Sequence, residues 1–246
     1  MTLEPRPSGH EAQPSSPLRR RLVERIHASL AHERQFLTQR RDTCGWDEPQ
    51  PGVRRRVLVH TAVGACWLVE LTPGTRLATT PGFSQAELVL LDGTAKLAHT
   101  PLHCGDAVLA PHDPAHAVSA GEQTARLFLR LSAPPQAPAG VLCFSTLVDG
   151  VGWDDFRPGV RVRALWSDGQ RSSLLVRMRA GASVSEHGHP LDEECMMLAG
   201  EAFVGDTLLR SGEFQWAPGG SRHGAVTTDV GALFFVHGSL DPAAYA

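Results

Sequence analysis

Gly181-Ala-Ser-Val-Ser-Glu-His187-Gly-His189-Pro-Leu-Asp-Glu193-Glu-Cys-Met-Met-Leu-Ala-Gly200, followed by Gly212-Glu-Phe-Gln-Trp-Ala-Pro218-Gly-Gly220-Ser-Arg-His223, carries the reading of this chain. Side chains alternate along a β-strand, so His187 and His189 face one side and can reach one ion together. The Pro190-Leu-Asp192 turn starts a new strand, whose first residue, Glu193, can add a carboxylate from the same interior. Glu194 faces away from it and is the alternative carboxylate. His223, after the Pro218-Gly-Gly220 turn, supplies a third imidazole from across a barrel. Three nitrogens and one oxygen suit one divalent metal ion per chain, zinc ahead of iron or manganese. A coordination number above four leaves room for water or substrate.

The chain also repeats itself. Trp46-Asp-x3-Pro-Gly-Val-Arg-x-Arg-x-Leu58 returns as Trp153-Asp-x3-Pro-Gly-Val-Arg-x-Arg-x-Leu165, an offset of 107 residues. The same offset carries Gly74 to Gly181, Glu87 to Glu194, Gly93 to Gly200, Pro111 to Pro218 and His116 to His223. One register held over so many turn residues means two copies of one fold unit. In the first copy the ligand positions are Thr80, Gly82, Ala86 and His116. One imidazole does not hold a zinc-class ion, so this copy is expected to be metal-free, with His116 a hydrogen-bonded remnant and His112 a loop residue. Glu194 is matched by Glu87 in the copy without ligands, which marks it as structural and favours Glu193 for the metal.

Apolar runs such as Trp67–Leu71, Leu88–Leu91, Leu174–Met178 and Leu233–Val236 lie between turns drawn from 24 glycines and 18 prolines. Short strands at such regular intervals imply a sandwich or barrel. The expected organisation is a disordered tail over 1–15, a basic amphipathic helix within 16–45, a degenerate unit over 46–133 and a metal-bearing unit over 141–246. The Pro/Ala-rich stretch 134–139 is the linker. Within the helix, read over residues 16 to 41, Ser16 caps, Pro17 suits the first turn, and Leu18, Leu22, Ile26, Leu30 and Leu37 share one face. Arg19, Arg20, Arg21, Arg25, Arg34, Arg40 and Arg41 make the remainder basic. This helix is expected to pack as a solvated helix on the barrel behind it, with docking to another protein or nucleic acid as the alternative.

A formal net charge of −3 lends no support to a broad nucleic-acid footprint. The start of the chain lacks the apolar stretch of a secretory signal or a membrane span, so a cytoplasmic protein is expected. The five cysteines form no C-x-x-C pair, which argues against a disulfide framework or a thiolate cluster. Alternation from Glu193 turns Cys195 and Met197 to the interior as core fillers, with a metal-tuned, oxidant-reporting Cys195 as the sharper reading. Trp216 and Phe214 either wall the pocket or pack elsewhere. Glu186 and Asp192 face outward, which leaves no acid/base partner inside the barrel.

The pattern Gly-x5-His-x-His-x3-Glu-x6-Gly, then Gly-x5-Pro-x-Gly-x2-His, resembles both cupin motifs position by position. The resemblance implies an all-β chain of two tandem jelly-roll barrels, a bicupin, behind one N-terminal α-helix, with His187, His189, Glu193 and His223 as the metal ligands. Thr227 stands where an Asn often closes the second motif. Over residues 46 to 240 the chain further resembles the C-terminal cupin of ChrR-type anti-sigma factors, through the Trp and Pro-Gly-Val before the barrel, Glu193-Glu194 and Pro218-x-Gly-Ser221-x-His223. The His-x3-Cys-x2-Cys signature of that family's sigma-binding zinc domain does not occur in these 246 residues. This likeness implies a regulatory or sensory protein that responds to a small molecule or oxidant and engages a protein partner through its helix. The alternative is a metal-dependent cupin enzyme, of dioxygenase or isomerase/hydrolase type, acting on an unidentified small molecule. A homodimer is compatible with either.

Overall fold

The computed structural model describes residues 17–43, 45–62, 64–133, 140–146 and 151–239. The tail expected over 1–15, the cap Ser16 and the linker 134–139 lie outside them. Helix α1 (Pro17–Glu33) and β1 (Leu37–Gln39) lead into a first set of strands: β2 (Trp46–Gln50), β3 (Val53–His60), β4 (Gly64–Leu71), β5 (Gln85–Asp92), β6 (Ala95–Leu97), β7 (Thr100–Leu102), β8 (Asp106–Pro111), β9 (Val118–Ala120) and β10 (Ala125–Ser132). The second set is β11 (Leu142–Ser145), β12 (Asp154–Arg157), β13 (Val160–Ser167), β14 (Ser172–Met178), β15 (Ser183–Val184), β16 (His187–Gly188), β17 (Glu193–Val204), β18 (Thr207–Arg210), β19 (Phe214–Ala217), β20 (Arg222–His223), β21 (Val226–Thr227) and β22 (Ala232–Gly238). The pairings within both sheets are antiparallel. The fold is mostly β, with sheets of the jelly-roll kind.

The two large sheets have corresponding strand orders, β11-β8-β5-β10-β4-β3-β2 and β1-β19-β17-β22-β14-β13-β12. Under the 107-residue offset, β3 falls on β13 end for end. A shared backbone requirement explains why Gly93 and Gly200 correspond. They have φ of +79° and +72°, and a Cβ on either would stand 2.0 Å from the carbonyl oxygen of Thr124 or of Gly231. Only glycine fits that approach in the left-handed region.

At one edge of each sheet the two units exchange strands. β11, at the start of the second unit, pairs with β8 of the first, with Leu142 opposite Leu109. β1, which precedes the first unit, pairs with β19 of the second, with Leu37 opposite Trp216. Arg40, just past β1, reinforces the second contact by donating to Glu213 Oε2 at 3.0 Å and to the Leu208 carbonyl at 2.5 Å. This pairing corrects the expected extent of the helix. The chain leaves the helix at Glu33, and Leu37 is in a strand, because β19 presents an open row of backbone donors and acceptors that β1 satisfies. Nor do the described apolar side chains of the helix pack on the barrel: Leu22, Val23, Ile26 and Leu30 are 42–55% exposed.

Each unit encloses its own buried apolar cluster, and a third cluster draws on both. Its centre is the pair Phe128 and Phe235, related by the offset, with ring centroids 5.2 Å apart. Beside them Glu87 and Glu194, also related by the offset, share one guanidinium. Arg130 Nε donates to Glu194 at 2.5 Å and its Nη1 donates to Glu87 at 2.9 Å. His237, the counterpart of Arg130, is held neutral by burial and by the nearby guanidinium, with its Nδ1 2.8 Å from Ser173 Oγ. Burial outweighs the pull of Arg130 on Glu87 and raises that carboxyl above its usual range.

Candidate metal centre

The ligand strands are short because Pro and Gly turns bracket them. β16 and β20 pair so that His187 lies directly opposite His223. His189 follows at once and is clamped by its backbone, its N–H donating to the Ser221 carbonyl and its own carbonyl accepting from Gly220 N. Asp192, which the sequence placed outside, ties the second turn to the first: its Oδ1 accepts from Gly219 N at 2.8 Å. β17 then begins with Glu193 turned to the same interior. One donor atom from each of His187, His189, Glu193 and His223 lies within 4.8 Å of the others.

Hydrogen bonds assign the tautomers. His187 Nδ1 is 2.8 Å from the Ser185 carbonyl and His223 Nδ1 is 2.7 Å from the Gly224 carbonyl. A carbonyl only accepts, so each Nδ1 carries the hydrogen and each Nε2 presents a lone pair. His189 is 2% exposed, yet neither of its ring nitrogens has a hydrogen-bond partner. Its Nδ1 stands 3.3 Å from Glu193 Oε2. A buried polar group without a partner is costly, and a cation among these four side chains would remove that cost. The donor set therefore fits a divalent ion. Burial pushes His223 down to about 4. Burial acts to raise Glu193, but His189, His223 and His187 outweigh it and hold the carboxylate below its usual range. A neutral His223 beside an ionised Glu193 is the state in which both can bind a metal.

Beyond the cluster lies a cavity of about 290 Å³ lined by His187, His223, Glu193, Cys195, Met197 and Gln215 together with the aliphatic and aromatic core of the second unit. Cys195 and Met197 sit where alternation put them. Burial pushes the Cys195 thiol far up, with Glu193 adding to it, opposite to the lowered value of a reactive thiolate. Trp216 does not line the cavity, and its place as a pocket neighbour is corrected. β19 turns Gln215 inward and sends Phe214 and Trp216 into the cluster between the units. No signal in the local sequence marked Gln215, since a polar residue between two aromatics also fits a solvated face. Glu186 faces solvent and pairs with Arg222 at 2.7 Å.

In the first unit Ala86 and His116 line a small cavity of about 20 Å³. His116 Nδ1 is 2.8 Å from Asp113 Oδ1, and His112 Nε2 accepts from Thr80 N at 2.8 Å. His116 is engaged within its own loop, and His112 by the loop that carries Thr80.

This is a cupin fold. Residues 144–241 match the family model described as the ChrR cupin-like domain. The curated proteins contain no match to the chain. A crystal structure of a putative dioxygenase from Nostoc punctiforme superposes with a TM-score of 0.63 at 16% identity, covering 85% of this chain and 84% of that one. Oxalate decarboxylase from Bacillus subtilis gives 0.58 at 14%, covering 83% and 76%. A cupin 2 conserved barrel domain protein from Leptotrichia buccalis gives 0.56 at 12%, covering 79% and 92%. At these identities the likeness speaks for the cupin fold and leaves the chemistry to the site.

Proposed function

We propose that this cupin is a bicupin that holds one divalent ion, zinc first, on His187, His189, Glu193 and His223, and that it works as a regulatory or sensory protein. A small molecule or oxidant reaching the open side of the ion would be its signal, and α1 would pass that signal to a protein partner. The observation that carries this reading is Phe36, which lies between α1 and β1 and seats its ring 6.3 Å from that of His223. A change at His223 thus meets the segment that leads directly to the exposed apolar face of the helix. The match of residues 144–241 to the ChrR cupin-like domain supports the same reading. So does the cavity wall, whose titratable side chains are three candidate ligands and one protonated thiol, with no separate group to move protons. No helix among the described residues is long and apolar enough to cross a membrane.

The ion would supply Lewis acidity and an open coordination position. The chain's own residues fix its ligands through the Ser185 and Gly224 carbonyls and keep bulk water from the apolar side. The test is metal analysis of protein purified without added metal, with His187→Ala as control, followed by oxygen uptake in the presence of candidate small molecules. Bound zinc without oxygen consumption supports the sensor. Bound iron with substrate-dependent uptake overturns it in favour of the dioxygenase reading, which the fold of the Nostoc neighbour also accommodates.

A further inference from the structure

On the basis of that metal reading, we infer that the second unit's cavity is a binding site for a small monocarboxylate with a compact aliphatic or aromatic body. Its walls are apolar on facing sides, with Val160, Val176 and Phe234 from the large sheet, and Val184 and Val226 from the short strands β15 and β21 beside Val204 at the far end of β17. No lysine, arginine, serine, threonine or tyrosine is among the lining residues. A sugar, polyol or nucleotide would bury hydroxyls or phosphates with nothing to pair them. Apart from the Cys195 thiol, a weak donor, the polar side chains of the wall are confined to the ligand cluster and Gln215. The Gln215 amide nitrogen donates to Thr38 Oγ1 at 3.2 Å and retains a second N–H for an oxygen of the guest.

Charge sets the head group. A divalent ion with one ionised Glu193 and three neutral imidazoles leaves one positive charge, which a monoanion neutralises. A dianion would leave a negative charge buried in an apolar chamber. Volume sets the body. About 290 Å³ accommodates roughly ten water-sized groups at about 30 Å³ each, as in a six- to eight-carbon acid. The way in is also apolar: Ala164 on β13 lines the cavity while exposed to solvent, with half-buried Phe156 and Val162 beside it.

The experiment uses the full chain with cobalt(II) as the bound ion and reads its visible absorption during titration with acetate, butyrate, hexanoate and benzoate. Oxalate and glucose serve as counter-probes. Hexanoate and benzoate are expected to shift the cobalt band, with affinity rising about three- to fourfold per added methylene from acetate upward. Val176→Phe, which fills the chamber, should weaken hexanoate at least tenfold and leave acetate within twofold. Ala164→Trp at the exposed mouth gives a second variant, with the same order of effect on hexanoate, should Val176→Phe not fold. A flat response along the acid series, or tighter binding of oxalate or glucose, overturns the inference while the cobalt spectrum leaves the metal site standing. Cobalt uptake no greater than that of His187→Ala overturns both.

Discussion

Glu193 and Glu194 are consecutive on β17 and serve opposite sides of it. The Glu193 carboxylate reaches 3.3 Å from His189 Nδ1 inside the second unit, while that of Glu194 meets Arg130 Nε at 2.5 Å in the core between the units. The strand that presents the candidate metal ligand is thereby pinned to the other copy of the fold. Their substitutions should separate cleanly. Glu194→Ala leaves Arg130 with only Glu87, and loss of one partner from a buried ion pair costs about 3–5 kcal/mol. Glu193→Ala should leave metal-free stability nearly unchanged and lower metal content. Urea unfolding and metal analysis of both variants check this, and equal loss of metal with unchanged stability in Glu194→Ala would contradict it.

Metal binding should stabilise the chain. An ion present at about 1,000 times its Kd adds about 4 kcal/mol to the folded state. Scanning calorimetry before and after chelation should therefore show a drop in Tm that zinc restores. His189→Ala should abolish the zinc response, and because that imidazole has no hydrogen-bond partner of its own, the metal-free variant should not lose the cost of a broken hydrogen bond.

Acid should destabilise the metal-free protein below about pH 6.5. Burial depresses His237, and it depresses His223 to about 4 from an ordinary 6.5. The unfolded chain takes up these protons first as pH falls, so the stability present above 6.5 is lost on the way toward 4. Each histidine contributes a slope of about 1.4 kcal/mol per pH unit across its window. Glu87, raised by burial, acts with the opposite sign above its ordinary 4.5 and offsets part of this loss. His237→Gln should flatten the acid limb in urea titrations at pH 7.5, 6.5 and 5.5.

Thiol reactivity should follow exposure. Cys104 and Cys143 are exposed, Cys66 is buried, and Cys195 is walled into the cavity with its thiol pushed up. Brief alkylation of the native metal-free protein, read by peptide mass spectrometry, should label Cys104 and Cys143 well ahead of Cys66 and Cys195. Rapid labelling or sulfenate trapping at Cys195 would revive its role as an oxidant reporter.

The strand exchange makes each unit incomplete alone. A fragment spanning 141–246 retains β11 without its partner β8 and leaves β19 without β1. Separately expressed halves should aggregate or unfold at lower denaturant than the full chain, and mixing them should recover a soluble complex. Two independently stable halves would show that the exchanged strands contribute little.

Much of this arrangement was readable from residue order, and for local reasons. Strand alternation and the Gly and Pro turns lie within a few residues of one another, so the spacing of His187, His189, Glu193 and His223 already placed them on one interior face. The repeat was legible because each copy needs the same turn glycines, as the crowded backbone at Gly93 and Gly200 illustrates. It also assigned Glu194 to structure, since its counterpart Glu87 sits in the copy without ligands. Pairing between distant strands was not legible. Leu37 suited a helical face as well as a strand, and only the open edge of β19, nearly 180 residues away, made it β-structure. Trp216 gave no sign of which side of β19 would face the cavity, because both sides of that strand are covered, one by the cavity and one by the other unit. Arg130 as partner of both carboxylates, Gln215 as the polar wall and Phe36 against His223 follow from how the two copies pack, which lies beyond any local pattern of residues.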